Sequence, residues 1–366
     1  MRPLDFIVFG IGRSGTTGLG QALNMHPDIL CGIERFHYKA DPATIMVPQS
    51  FEDSSFKCNA LLIGPNLELF KEKGAEATFI GNKNPRYFCN LEAWHQFKPD
   101  LRKVAIYRSP YEYLASWKTR ADNPADSWHS DMQGVFGIYE LFGMLRALLE
   151  HADDTLMVPF DAFYFGNGQT ILDVIDHIGA NASHYPHDEF LKTLRPEPSP
   201  PRKRPKLPRD VAEMLDVANF DAIDRILMRD EVYRIADVRS SIEDWLQSIP
   251  PRLGELAEQW IVARESESLH KLMLYWVRHF PHLDAMPNSA ALPGTFRLYR
   301  DFVFSEGFTK WTAAITVAKR TNTSPLNSII QALGGKPPPP NSDMTRYLVH
   351  QSRRAIGRAM ASRTGT

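Results

Sequence analysis

One stretch near the start of the chain, Gly10-Ile11-Gly12-Arg13-Ser14-Gly15-Thr16-Thr17, restricts its fold more than any other. Leu4-Asp5-Phe6-Ile7-Val8-Phe9 precedes it, an apolar run of strand length. Leu19, Ala22 and Leu23 follow at helical spacing, and His26-Pro27 closes that pattern. A strand, a glycine turn and a helix aim backbone N–H groups and a helix N-terminus at one point, which is the geometry of an anion site.

The glycine turn supports several readings. A Walker A loop has the spacing Gly10-x4-Gly15, but Thr16 stands where its phosphate-binding lysine belongs. Asp161 is the one strand-end aspartate available for magnesium on that reading. A Rossmann fingerprint is matched by Gly10-x-Gly12-x-x-Gly15, with Glu34 about where the ribose-binding acid stands. Against it, Arg13, Ser14, Thr16 and Thr17 put a cation and three hydroxyls around the turn, which suits a terminal oxyanion better than a pyrophosphate bridge. Gly12-Arg13-Ser14-Gly15-Thr16 does not fit the G-x-S-x-G elbow of serine hydrolases. A turn with merely solvated polar residues is the plain alternative.

Downstream, short apolar runs alternate with helical ones. Strands are expected at Asp28–Cys31, Ala77–Gly81, Lys103–Tyr107 and Thr155–Val158, and helices at Tyr111–Thr119, Asp131–His151 and Ile171–Ile178. In the long helix, Val135, Ile138, Leu141, Phe142 and Leu145 share one face. This alternation predicts an α/β fold: a P-loop-type parallel sheet flanked by helices, with a helical C-terminal portion. The expected divisions are a core of residues 1–195, a Pro-rich basic linker or loop at 196–210 containing Arg202-Lys203-Arg204, a helical portion at 211–336, and a Pro-rich break with a basic terminal helix at 337–366. Helices are expected at Val211–Leu227, Ser240–Gln247, Leu253–Arg264 and Ser266–His279.

In a parallel sheet a ligand lies beyond the carboxyl ends of the strands, and the unusual residues fall just there. After the second strand comes Gly32-Ile33-Glu34-Arg35-Phe36-His37, and after the third Gly81-Asn82-Lys83-Asn84-Pro85-Arg86-Tyr87. After the fourth comes Tyr107-Arg108-Ser109-Pro110, with Ser116 eight residues past the arginine. An arginine followed by a helical serine suits a phosphate, because a guanidinium forks onto two oxygens and the hydroxyl adds a donor.

Residues 4–180 resemble the PAPS-dependent sulfotransferases, which use 3′-phosphoadenosine 5′-phosphosulfate, and in particular their bacterial and carbohydrate-type branch. Arg13-Ser14-Gly15-Thr16-Thr17 resembles the family's phosphosulfate loop. Arg108 and Ser116 resemble its 3′-phosphate pair. Gly81–Pro85 resembles its G-[ED]-K-[ST]-P segment, with Asn82 and Asn84 in place of the usual acid and hydroxyl. The resemblance implies that Arg13, Ser14, Gly15, Thr16, Thr17, Arg108 and Ser116 bind PAPS. It implies that Lys83 contacts the sulfonyl and bridging oxygens, and that Glu34, or else His37, is the base. The implied reaction is transfer of a sulfuryl group to a hydroxyl, or to an amine, of a glycan, glycolipid or small-molecule acceptor. No metal is required, since Arg13, Lys83 and backbone N–H groups suffice to hold the transferred group. No match is found to the R-K-G-x-x-G segment with which cytosolic members close over the 3′-phosphate. The readings that stand beside it are a non-catalytic nucleotide-binding protein of the same fold, and a P-loop kinase or NAD-dependent enzyme.

Other features add little. Lys and Arg total 42 against 43 for Asp and Glu, a net charge of −1 that asks for no nucleic acid. Cys31, Cys58 and Cys89 form no C-x-x-C pair. With a strand starting at once and no bilayer-length apolar run, the expected location is cytoplasmic. His184-x-x-His187 and His279-x-x-His282 read as ordinary polar residues. Phe36, Tyr38, Trp94, Trp117 and Trp128 suit either core or a stacking surface. The basic tail, with Arg346, Arg353, Arg354, Arg358 and Arg363, suits a docked terminal helix or a weak contact with an anionic membrane surface.

Overall fold

The computed structural model describes residues 1–53, 56, 62–74, 76–123, 133–194, 205–263 and 291–293. Cys58, Trp128, the Arg202-Lys203-Arg204 run, the helix expected at Ser266–His279, the His279-x-x-His282 pair and everything expected at 337–366 lie outside these residues. The chain divides into two compact units. The first is Met1–Ala257 with Phe280–Ala291, and the second is Glu258–His279 with Leu292–Thr366. The sheet and the site described below lie in the first.

Six strands form one sheet: β1 (Phe6–Gly10), β2 (Ile29–Ile33), β3 (Phe79–Lys83), β4 (Arg102–Tyr107), β5 (Leu156–Pro159) and β6 (Tyr233–Arg234), in the order β2-β3-β1-β4-β5-β6. The first five are parallel and β6 is antiparallel to β5. The described helices are α1 (Thr16–Leu23), α2 (Ile63–Lys73), α3 (Leu91–Phe97), α4 (Pro110–Ala121), α5 (Gln133–His151), α6 (Phe160–Phe165), α7 (Gln169–Ile178), α8 (His187–Leu191), α9 (Arg209–Val217), α10 (Phe220–Leu227), α11 (Arg239–Ser248) and α12 (Arg252–Ala263).

The expected α/β architecture is present, and burial explains it. On one face of the sheet Phe6, Val8, Ile29, Cys31, Val104, Ile106 and Val158 pack with Leu19 and Leu23 of α1 and Ile171, Val174 and Ile178 of α7. The alternate residues Ile7, Phe9, Leu30, Ala105 and Met157 point to the other face and are equally buried. A sheet buried on both sides needs near-continuous apolar strands, which is what the sequence has. From Phe136 to Leu145 every residue of α5 is buried, so this helix is enclosed on all sides rather than along one stripe.

Three differences from the expectations have local causes. Strands β2 and β3 end two residues later than their apolar runs, because Gly32 pairs with Asn82 and Ile33 with Lys83. Lys83 is therefore the last residue of a central strand and not a loop lysine. The helix expected at Val211–Leu227 is two helices, broken where Asn219 adopts a left-handed φ of 50°. The two-residue β6 falls in a part expected to be almost all helical, and it forms only by pairing with β5. Among the described residues, no helix is long and apolar enough to cross a membrane.

Candidate functional site

The glycine turn joins β1 to α1 at the carboxyl edge of the sheet. Its shape rests on two left-handed residues, Arg13 at φ 74° and Gly15 at φ 95°. Gly15 is the N-cap of α1. A Cβ there would lie 2.7 Å from Tyr164 and 3.0 Å from Phe160, both on α6, so glycine is required for packing as well as for φ. Two aromatic side chains tie the turn down by its carbonyls. Trp117 of α4 donates its indole N–H to Gly12 O at 2.9 Å, and the Tyr164 hydroxyl donates to Gly15 O at 3.1 Å. With its carbonyls thus engaged outside, the turn leaves the α1 N-terminus to act as the positive end of a helix dipole.

Within the turn, Ser14 is 1% exposed and its Oγ has no hydrogen-bond partner. A buried hydroxyl left so is costly unless a ligand supplies the missing bond. Thr16 is buried in the first turn of α1, while Arg13 and Thr17 are exposed.

Lys83 and Glu34 face each other at the ends of β3 and just past β2. The Lys83 ammonium donates to Glu34 Oε1 at 2.7 Å. The lysine side chain is 1% exposed and the glutamate 26%, so the pair opens to solvent on the carboxylate side. Burial pushes the Lys83 pKa down, against the opposing pull of Glu34, and the nearby positive charge of Arg13 pushes the same way as burial. Lys83, with Glu34 beside it, and Arg13 thus bring two positive charges near the glycine turn. Glu34 itself sits at φ 52°. Among the described residues the non-glycine positions with positive φ are Arg13, Glu34 and Asn219, and such strain gathers at functional sites. The Asn82 amide holds this corner: its Oδ1 accepts from Arg35 N at 3.0 Å and its Nδ2 bonds the Tyr87 hydroxyl. The thiol of Cys31, on β2, is pushed up to about 12 by burial, which leaves it a thiol rather than a nucleophilic thiolate.

His37 lies three residues on from Glu34. It is half-buried, stacked on Tyr38 with ring centroids 4.3 Å apart, and its Nδ1 accepts from Lys39 N at 3.2 Å. Asn84 Nδ2 donates to Phe36 O at 3.2 Å, which fastens the His37 segment to the one that follows Lys83.

Across the turn, at the end of β4, Arg108 lies over the Phe160 ring at 4.3 Å. It donates from Nε to Glu112 at 2.7 Å and from Nη1 to Arg13 O at 3.1 Å. Ser116 Oγ accepts from Arg13 Nε at 3.1 Å. Arg108 and Ser116 are thereby linked through the glycine turn.

The sheet order bears on two of the sequence readings. In the Rossmann order β1 and β2 are neighbours; here β3 lies between them and Glu34 pairs with Lys83. Lys83, not Glu34, comes from the strand beside β1. Asp161, the aspartate needed by the Walker reading, is exposed in the first turn of α6. Sequence reasoning gave no role to Phe160, Tyr164 or Glu112, and read Trp117 only as core or stacking surface. Their signal was spacing: Tyr164 falls one helical turn after Phe160, and Trp117 falls next to Ser116. Of the aromatics considered as a stacking surface, Phe36, Tyr38, Trp94 and Trp117 are buried.

Residues 5–184 match the model of the sulfotransferase family. Among solved structures, the chain is similar to one described as the crystal structure of a sulfotransferase from Alicyclobacillus acidocaldarius, at 16% identity and a TM-score of 0.40, over 62% of this chain and 97% of that one. No curated protein matches it.

Proposed function

With residues 5–184 a member of the sulfotransferase family, we propose that the chain transfers a sulfuryl group from 3′-phosphoadenosine 5′-phosphosulfate to a hydroxyl, or less readily an amine, of a glycan, glycolipid or small-molecule acceptor. The observation that carries this reading is the convergence of Arg13, the buried Lys83 and the unpartnered Ser14 hydroxyl around one glycine turn at a helix N-terminus. Two cations and a buried hydroxyl gathered at a helix N-terminus fit a sulfate or phosphate group.

The residues fit the donor in two places. Ser14, Gly15, Thr16 and Thr17 with Arg13 hold the phosphosulfate end, and Arg108 with Ser116 holds the 3′-phosphate. When bound, the donor supplies the sulfuryl group and a leaving phosphate oxygen. The protein's own work is then electrostatic and acid–base. Lys83 has three N–H donors and uses one on Glu34, so it keeps others for oxygens on which charge grows. Glu34 is 26% exposed, within reach of an acceptor whose proton it takes. His37 is the second candidate for that proton. The acceptor class comes from the likeness of the Lys83 segment to that of carbohydrate-type members.

The test is incubation of the purified protein with sulfur-labelled PAPS and a panel of glycan, glycolipid and small hydroxylated acceptors. Labelled product supports the reading. Tight binding of adenosine 3′,5′-bisphosphate with no turnover on any acceptor, or in a whole-cell extract, would point instead to a non-catalytic nucleotide-binding protein.

A further inference from the structure

We propose that Asp224, on α10, is the positioning residue of the Arg108 phosphate site. This rests on the reading of Arg108 as the partner of the 3′-phosphate. The two carboxylate oxygens of Asp224 accept from the residues on either side of that arginine: Oδ1 from the Tyr107 hydroxyl at 2.6 Å, and Oδ2 from Ser109 Oγ at 2.6 Å. Both donors reach to one side of the chain, so the residue between them is turned to the other. That side is where Arg108 lies over Phe160, within reach of Glu112 and the Arg13 carbonyl.

Each donor is used in a way that points to this role. Ser109 is the N-cap of α4, where a serine ordinarily accepts from a backbone N–H of the first turn. Here it makes no such cap bond and gives its hydroxyl to Asp224 instead. Pro110 follows at the first helical position, so the turn is already stiff without a cap. Tyr107 is 1% exposed, and burial together with Asp224 raises its pKa, so it stays a hydroxyl donor at any working pH. A second tie lies one position past Pro110, where the Tyr111 hydroxyl donates to Asp216 of α9 at 3.3 Å. The helices α9 and α10 thus hold the β4–α4 turn through carboxylates. A carboxylate repels phosphate, so Asp224 acts by fixing where the Arg108 side chain starts, not by touching the ligand. It also adds a negative charge beside the N-terminus of α4.

The experiment is titration calorimetry of adenosine 3′,5′-bisphosphate and adenosine 5′-monophosphate against the full chain and its Asp224→Asn variant. The bisphosphate is expected to weaken about tenfold, the size of one charge-assisted hydrogen bond, while the monophosphate changes by less than about twofold. Equal weakening of both ligands would mean that Asp224 merely supports the fold, and no weakening of either would mean that it does nothing here; each overturns the proposal. If the unmodified chain binds both nucleotides equally, Arg108 is not a 3′-phosphate site, and the parent reading falls and takes this one with it. Should Asp224→Asn fail to fold, Ser109→Ala removes one of the two donors and is expected to give the same selective loss at smaller size; its absence overturns the proposal in turn.

Discussion

Replacing Lys83 by methionine separates a functional cation from a structural one. The ammonium is 1% exposed and its partner Glu34 is 26% exposed, at 2.7 Å. Burial lowers the lysine pKa and outweighs the opposing pull of Glu34. The charged form is therefore less comfortable in the fold than in water. Methionine keeps the length of the chain and removes the charge, and the glutamate left behind can still reach solvent. Lys83→Met is thus expected to leave stability within about 1 kcal/mol of the unmodified protein, because the charge left without its partner is the more exposed one. Removing the other partner is the opposite case. Glu34→Ala strands a buried ammonium, and should destabilise by about 3 kcal/mol. The pH dependence has a fixed sign. Between the lowered Lys83 pKa and the ordinary 10.5, the unfolded chain holds a proton that the folded chain has lost, so the lysine's burden is full below that window and fades as pH rises through it. The stability of Lys83→Met relative to the unmodified protein should fall over the same range. In turnover, the loss of a preorganised charge at the site should reduce kcat by about 10²–10³-fold. Urea unfolding of both variants at several pH values, beside labelled-sulfate turnover, measures all of this. A Lys83→Met protein destabilised by more than about 2 kcal/mol, yet turning over normally when folded, would refute the reasoning.

The remaining predictions concern the other sides of the site. Arg108→Ala should weaken adenosine 3′,5′-bisphosphate binding by about 2–4 kcal/mol, and unchanged affinity by calorimetry would reject its assignment. Gly15→Ala must fit a Cβ 2.7 Å from Tyr164 at a φ of 95°, so both nucleotide affinity and melting temperature should fall; a variant that melts and binds normally removes the turn from the site. Glu34→Gln keeps an acceptor for Lys83 but removes the proposed base, so kcat should drop by about 10²–10⁴-fold with bisphosphate affinity nearly unchanged. Normal turnover in Glu34→Gln with a dead His37→Ala would move the base to His37.

The parts of this molecule that could be read beforehand are those where chemistry and local pattern coincide. Gly10 to Thr17 announces a turn because glycine and hydroxyl residues interrupt two apolar runs, and no tertiary contact is needed to see it. The parallel sheet follows from strands too apolar to face water on either side. Lys83 was legible as an unusual lysine, but its place inside β3 was not. The expected strand stops at Gly81, while the actual one continues through Asn82 and Lys83 because both neighbours supply pairing partners. The order of strands was equally hidden, since nothing local says that β3 inserts between β1 and β2. Asp224 was invisible for the same reason: its partners are 117 and 115 residues away, and an aspartate on an amphipathic helix looks like any solvated one.

That strand order also bears on how the chain is made. The strand that carries the glycine turn is the third of six in the sheet, but it is the first to be synthesised. Its two neighbours begin at Phe79 and Arg102, so about 70 residues of chain must emerge before either edge of Phe6–Gly10 can pair, several seconds at ordinary translation rates. During that interval a strand apolar at four of its five positions is a bare edge, open to any other nascent strand. The β2 segment emerges first and cannot relieve it, because in the finished sheet it never touches β1. A ribosome that paused within the first hundred codons would prolong that exposure, and the glycine turn gains its aromatic supports from α6 only once Phe160 and Tyr164, past the fifth strand, have left the exit tunnel.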